Sequence, residues 1–166
     1  MKALQSFIPP CGKVVFPLPA EWQLTPPPEK RGIPKLEEDS CMYYGQMEEG
    51  DVYVNTFDVD QAADKSKTAQ SILDSLGRVK GVKAETLVTG QAFMRFDSSQ
   101  GIYPKHSYML CGESRGRFIV ASFTYEPMDF KDPEMQTRES FQKFIADFAD
   151  ELEGYFRLAH VGYEYC

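Results

Sequence analysis

The sequence predicts an α+β fold in which an antiparallel sheet lies between two helices. One helix is indicated by apolar residues with a helical period just before Gly77, and a second by a longer repeat over residues 141–156. Between them, glycines divide the chain into strand-like segments; these are residues 83–89, 91–96, 105–111 and 117–125. Because short turns join these segments, we expect an antiparallel meander with one helix before it and one after it.

The chain opens on an apolar strand at residues 14–16, which runs into Pro17 and Pro19 and is followed by the only tryptophan, Trp22. Proline lacks a backbone N–H and fixes φ, so this segment is predicted to be an edge strand or a strand end. The large apolar ring of a tryptophan that follows such a strand is stabilised most by burial in the core. We therefore expect Trp22 to be buried.

Two further segments precede the first helix. Four prolines, a glycine and charged residues make the stretch 25–35 a predicted surface loop that could touch a partner. Residues 40–46 and 52–59 are rich in Tyr, Val, Thr and Phe, and Gly50 lies in their connection. These two segments are predicted to form a hairpin.

The spacing of apolar residues predicts the two helices and the strand at residues 117–125. The first helix is marked by apolar residues that end at Gly77; they are Ala69, Ile72, Leu73 and Leu76. Residues 117–125 are apolar on both alternations, which is typical of a central strand covered on both faces. The last helix is predicted to start at Asp132 with Pro133 and to continue to about Leu158. Its predicted apolar face consists of Phe141, Phe144, Ile145, Phe148, Leu152 and Phe156.

Length and charge limit the class of protein. At 166 residues the chain is predicted to form one domain, 1–166, with its core at about 13–158. The formal charge of −7 disfavours nucleic acid and anionic membrane surfaces as partners. No apolar run approaches the roughly 20 residues that span a bilayer, and the first residues lack a signal-peptide core. These features predict a cytoplasmic protein.

The cysteines and histidines suggest no catalytic or metal site. The four cysteines are widely separated, and we expect reduced thiols and neither a cofactor nor a metal; they are Cys11, Cys41, Cys111 and Cys166. His106 could act as a base toward Ser107 or Cys111. In a strand, however, both lie at odd spacing from His106 and face the opposite side. A structural role is therefore preferred, with Cys111 packed as a small hydrophobic residue.

Two loop patterns have a structural and a functional interpretation. Gly112 and Gly116 could belong to a phosphate-binding loop, but no Lys-Ser/Thr follows and a strand comes next, so a hairpin turn is preferred. The alternating acids Asp58, Asp60 and Asp64 hint at a calcium loop, but the glycine and distal glutamate of an EF-hand are missing. Helix capping is the preferred role for these acids.

The order of elements, together with Phe16, Leu18, Pro19 and Trp22 at the start, resembles the PsbP-like superfold. This superfold includes the photosystem extrinsic protein, the Ran-binding Mog protein and bacterial domains, some of which are chaperones for type VI secretion effectors. The resemblance implies a curved antiparallel sheet with a helix on each face, an α-β-α sandwich. It also implies protein binding rather than catalysis. Phe118 is a further matching framework position, and the Pro-rich loop departs from the pattern.

We therefore expect a non-enzymatic protein-binding domain, plausibly a bacterial secretion-system chaperone, an adaptor or an immunity protein. The alternatives are a domain that binds a small apolar ligand in a pocket between sheet and helix, and an enzyme that uses His106 or Cys111. A basic partner protein would be steered by acids on a loop and on the last helix; these are Glu48, Glu49, Asp51, Asp147, Asp150 and Glu151. Aromatic anchors on the sheet would be Tyr43, Tyr53 and Tyr108.

Overall fold

In a computed structural model, the protein is described over residues 3–9, 12–25, 41–44, 50–59, 67–100, 103–127 and 139–165. Two α-helices are found there, α1 (Ala69–Gly77) and α2 (Glu139–Phe156), with short 3₁₀ helices at Arg78–Lys80 and Tyr163–Tyr165. The strands are β1 (Leu4–Phe7), β2 (Val14–Pro19), β3 (Gln23–Thr25), β4 (Cys41–Tyr44), β5 (Asp51–Val59), β6 (Glu85–Thr86), β7 (Ala92–Gln100), β8 (Tyr103–Ser114), β9 (Arg117–Glu126) and β10 (His160–Val161).

The main sheet has the strand order β3-β4-β5-β9-β8-β7-β6, and all its neighbouring strands are antiparallel. The predicted hairpin is present as β4 and β5, and the predicted meander is present as β6 to β9. The turn between β8 and β9 contains Gly116 at φ 75°, which confirms a hairpin turn at the second glycine of the candidate phosphate loop.

Strand β9 lies in the middle of the main sheet and contributes to a core on each side. Ile119, Ala121 and Phe123 pack on the side of α2, whereas Phe118 and Val120 pack on the side of α1. The alternation follows from the two-residue period of a strand. The prediction of a central strand with a helix over each face is confirmed, and the fold is the expected α-β-α sandwich.

A second, three-stranded sheet lies beside α2 and has the order β1-β2-β10. Strand β2 is its middle strand, so of the two predicted alternatives, an edge strand and a strand end, the second is correct: the prolines lie at the end of β2. Pro17 and Pro19 are paired with β1 alone, and β10 pairs only with Val14 and Val15. On the side of β2 that faces β10, the prolines therefore have no partner strand, and their missing N–H groups remove no hydrogen bond there.

Trp22 is buried, with 1% of its surface exposed, and its ring stacks on Phe148 at a centroid distance of 5.8 Å. This confirms the predicted core position. Strands β1, β3 and β10 were not predicted. Of these, β1 and β10 add to the core, since Phe7 and Val161 are buried there.

Helix α1 begins after Thr68, whose side chain accepts a hydrogen bond from the Ser71 N–H, while the Ser71 hydroxyl accepts one from the Thr68 N–H. This capping box replaces the predicted cap by acidic residues. Asp58 is instead in β5 and pairs with Lys13 at 3.2 Å. On the predicted apolar face, Ile72 and Leu73 are buried, whereas Leu76 is 43% exposed.

Several predicted features lie outside the described residues. They are most of the Pro-rich loop, Asp60, Asp64, Pro133 and the predicted start of the last helix at Asp132. Helix α2 ends at Phe156, two residues before the predicted end. In the part of the chain that the structure describes, no helix is long and apolar enough to cross a membrane.

Candidate functional site

The acidic residues of α2 differ in what they contact. Asp150 Oδ1 accepts a hydrogen bond from Arg95 Nη1 at 2.6 Å, and Glu153 Oε1 lies 3.5 Å from the same nitrogen. At 100° per residue, Asp147 lies about 60° and Glu151 about 100° around the helix from Asp150, and both lie within about 60° of Phe144. Of the three predicted acids, Asp150 is thus bound by Arg95 of β7, although 72% of its side chain is exposed.

An exposed aromatic ring shares the flank of Asp147 and Glu151. Phe144 is 39% exposed, and its ring lies parallel to that of Phe148 at a centroid distance of 6.4 Å. The prediction that Phe144 belongs to the buried face is wrong, because it lies roughly 100° from the middle of that face. Phe144, Asp147 and Glu151 follow one another at i, i+3 and i+7, and we call these three residues the Phe144 stripe.

The Phe144 stripe is ordered by the buried part of α2. Phe148 is 3% exposed and packs edge-on against Tyr125 at 5.3 Å, which fixes the base on which the Phe144 ring rests. The Tyr155 hydroxyl donates a hydrogen bond to Glu151 Oε1 at 2.6 Å. The stripe is thus an aromatic ring beside two carboxylates, presented on a rigid helix.

Three tyrosines were predicted as exposed aromatic anchors, and for Tyr108 this prediction is wrong. Tyr108 is 0% exposed, and its hydroxyl donates to the Ala149 carbonyl of α2 at 2.6 Å, because α2 covers this face of β8. Tyr53 is half-buried on β5, opposite Thr124 of β9. The backbone of Tyr43 pairs with Val52, and its side chain lies outside the described residues.

The predicted acidic loop is represented by one described residue. Asp51 is 8% exposed and opens β5 opposite Glu126, so it belongs to the sheet rather than to an exposed loop. It cannot steer a partner as a surface charge. Glu48 and Glu49 lie outside the described residues.

A polar cluster that was not predicted from the sequence lies between β7, β8 and α2. Asp97 Oδ1 accepts a hydrogen bond from Arg95 Nε at 3.2 Å and lies 2.8 Å from His106 Nδ1. The His106 ring stacks on Tyr125 at 5.8 Å, and Arg95 lies over the Tyr108 ring at 5.5 Å. The signal for this cluster is the opposite charge of residues 95 and 97 on one face of a strand.

The cluster shifts the ionisation of its members. Partial burial alone would raise the pKa of Asp97, but hydrogen bonds and charges from His106 and Arg95 outweigh it and lower the pKa. Burial would likewise lower the pKa of Arg95, but hydrogen bonds to Asp150 and Asp97 outweigh it and raise the pKa. Each group is therefore held in its charged form.

Neither candidate catalytic group has the access that catalysis needs. His106 is 8% exposed, and its Nε2 is buried with no hydrogen-bond partner among the described residues, so a substrate cannot reach it in this conformation. Cys111 is a buried free thiol on the α1 side, and burial raises its pKa to about 12. The residues that the structure describes contain no group of three His, Cys, Asp or Glu side chains that could hold a metal ion.

Asp97→Asn is expected to lower the free energy of unfolding near pH 7 by about 1 kcal/mol, a figure that allows for solvent screening of this half-exposed carboxylate. Because the folded pKa of Asp97 is lowered, its contribution is complete above the ordinary carboxyl pKa of about 3.9 and is lost as pH falls through the folded value. Urea unfolding of both proteins at pH 7 and below pH 4 measures this. The difference should narrow in acid, and a constant or widening difference would contradict the assignment.

Comparisons with known proteins identify the fold. The sequence matches no family model, and a search of curated proteins gives no match. The solution structure of cyanobacterial PsbP (CyanoP) from Synechocystis sp. PCC 6803 is similar, with a TM-score of 0.51 at 12% identity, covering 97% of this chain and 94% of that chain. The crystal structure of the Ran-binding protein Mog1p from Saccharomyces cerevisiae gives a TM-score of 0.49 at 10% identity, and the match covers 97% of this chain and 96% of that chain.

The chain therefore has the PsbP-like fold that its pattern of elements resembles. The likeness to CyanoP extends over nearly the whole of both chains. At this identity it establishes the architecture alone, so any function has to be argued from the residues of this chain.

Proposed function

We propose that this protein is a non-enzymatic protein-binding domain and that its partner docks on the Phe144 stripe. The observation that supports this most strongly is the position of Phe144, a large aromatic ring that is 39% exposed. On the same helix, Phe148 and Phe156 are buried and Phe141 is half-buried. Aromatic side chains at the centre of interfaces often supply most of the binding energy. An aromatic side chain in a fixed position has little conformational freedom left to lose on binding.

The charge around this ring favours a basic partner. Asp147 and Glu151 lie beside Phe144, and the chain carries a formal charge of −7. Exposed carboxylates attract a basic surface over distance and mainly raise the association rate. Phe144 would then anchor the bound complex, and the exposed Asp147 would pair with a lysine or arginine beside it, whereas Glu151 is half-buried and bonded to Tyr155.

The packing under α2 gives less support to a ligand pocket between sheet and helix. Phe156 stacks on Phe123 at 4.2 Å and lies 4.9 Å from Tyr108, and Phe16 lies 5.2 Å from Phe123. Rings at these distances are typical of a close-packed core. The burial of His106 and Cys111 likewise favours binding over catalysis.

The test compares four forms of the protein as bait in lysate from its source cells. Phe144→Ala removes the anchor, Asp147→Lys reverses the steering charge, and Glu113→Lys makes the same charge change at an exposed residue of β8. Proteins retained by the wild type and by Glu113→Lys should be lost or reduced with Phe144→Ala and Asp147→Lys. Retention of the same proteins by all four forms would contradict the proposal.

Kinetics with the captured partner separate the two roles. Asp147→Lys is expected to slow association by roughly tenfold at low salt and to flatten its salt dependence, with dissociation nearly unchanged. Phe144→Ala is expected to speed dissociation by roughly 30-fold, which corresponds to about 2 kcal/mol. A secretion chaperone, an adaptor and an immunity protein would all bind in this way, and the identity of the partner distinguishes them.

A further inference from the structure

The turn between β8 and β9 holds an arginine in an unusual conformation. Arg115 has φ 52° and is followed by Gly116 at φ 75°, and Ser114 pairs with Arg117 across the turn. Among the described residues, no other non-glycine residue has a positive φ. Asn, Asp or Gly would adopt this conformation at a lower cost than arginine. Strain of this kind is stored in tight turns and at functional sites.

The Arg115 side chain lies against an aromatic ring from the end of the chain. Its Cζ is 5.9 Å from the centroid of the Tyr163 ring, and Lys13 Nζ is 5.7 Å from the same centroid. Two hydrogen bonds fix this arrangement: the Tyr163 N–H donates to Ser114 Oγ, and the Gly162 N–H donates to the Lys13 carbonyl. Two cations are thus held near one ring, although each repels the other.

A third cation, Arg117, is close enough to act on the same ring. Burial and Asp58 raise the pKa of Tyr163, while the positive charges of Lys13 and Arg117 act in the opposite direction. Arg117 is exposed and lies on the same face of the hairpin as Ser114, its register partner. Three basic side chains therefore converge at one end of a molecule whose net charge is negative.

The carboxylates near this end compensate for only part of the positive charge. Asp58 pairs with Lys13 at 3.2 Å. Glu113 precedes Ser114 on β8 and so lies on the opposite face of the sheet, and the Glu164 carboxylate lies against the backbone of Gly162. Within the described parts of the chain, no carboxylate lies within 4.0 Å of the guanidinium groups of Arg115 and Arg117.

We propose that these residues, Lys13, Arg115, Arg117 and Tyr163, form a binding site for an oxyanion, either a phosphate or a carboxylate. Guanidinium groups donate paired hydrogen bonds to two oxygens of such a group, and the anion would relieve the repulsion among the three cations. This site is opposite in charge to the Phe144 stripe and does not depend on the proposed partner. It also accounts for an arginine at a turn position that glycine would fill with less strain.

The test is a titration of the full-length protein with inorganic phosphate and, separately, with acetate, at constant ionic strength set by chloride. Nuclear magnetic resonance would follow the Gly116 amide and the Tyr163 ring protons. We expect saturable shifts in the wild type and at least a tenfold weaker affinity in Arg115→Gly and in Arg117→Gln. Arg115→Gly suits the positive φ of the turn, so this variant should fold at least as well as the wild type.

Lys143→Gln on α2 makes the same change in charge as Arg117→Gln and serves as the matched control. It should leave the affinity unchanged. If the wild type binds phosphate more tightly than acetate, the site is a phosphate site. If it binds acetate as tightly as phosphate, the site also accepts carboxylates. The absence of saturable shifts, or equal weakening by Lys143→Gln, would overturn the proposal.

Discussion

The Phe156→Ala variant is expected to lose about 3–5 kcal/mol of unfolding free energy, the usual cost of removing a phenylalanine ring from a close-packed core. Phe156 is 0% exposed, and its ring packs against both sheets. It contacts Tyr108 of β8 and Phe123 of β9 in the main sheet, and Phe16 of β2 in the three-stranded sheet. Because three elements meet at this ring, the cavity cannot close by movement of one side chain. Urea unfolding measures the loss.

Phe144→Ala is the matched control for this change, since it is the same substitution on the same helix. Phe144 is already 39% exposed, so its loss should cost less than about 1 kcal/mol. Similar losses for the two variants would contradict the assignment of Phe156 to the core and of Phe144 to the surface. The same measurement shows whether Phe144→Ala remains folded for the binding experiments.

Gln91→Leu is expected to cost about 2–4 kcal/mol, although leucine fills a similar volume. Gln91 is 4% exposed; its Nε2 donates to the Ala159 carbonyl and its Oε1 accepts from the Val161 N–H, both at 2.9 Å. Ala159 and Val161 are also buried, so leucine would leave a carbonyl and an N–H without partners and without water. Hydrogen exchange at the Val161 amide should become faster together with the loss of stability.

A second glutamine provides the comparison for Gln91. Gln70 also bonds through both ends of its amide, to the Ala84 carbonyl at 3.2 Å and to the Thr86 hydroxyl at 2.6 Å, but it is only half-buried. Water can replace these partners, so Gln70→Leu should cost less than about 1 kcal/mol. An equal cost for the two variants would show that burial of the bonded groups is not the cause.

Strong periodic patterns made most of the architecture predictable. The double apolar alternation of residues 117–125 placed β9 at the centre of the sheet, and the repeats before Gly77 and over 141–156 located both helices. The strands β1, β3 and β10 were missed because segments of two to four residues show too little periodicity. Each forms by pairing with a neighbouring strand: β1 and β10 pair with β2, and β3 pairs with β4.

The candidate site was less predictable, because exposure depends on which parts of the fold cover each face. Tyr108 and Tyr53 are similar in sequence terms, but α2 covers the face of Tyr108. Phe144 and Phe148 belong to one apolar repeat, and only the packing of α2 leaves Phe144 exposed and Phe148 buried. The pairing of Asp150 with Arg95 joins residues 55 positions apart and has no local signal in the sequence.

The most direct test of protein binding at the Phe144 stripe is photochemical cross-linking in the source cells. The photoreactive residue benzoylphenylalanine would replace Phe144 in one variant and Asn55, an exposed residue of β5, in another. An irradiation-dependent adduct with another protein is predicted at position 144, with none or much less at position 55. Equal adducts at both positions, or an adduct at position 55 alone, would contradict the assignment of the docking surface to α2.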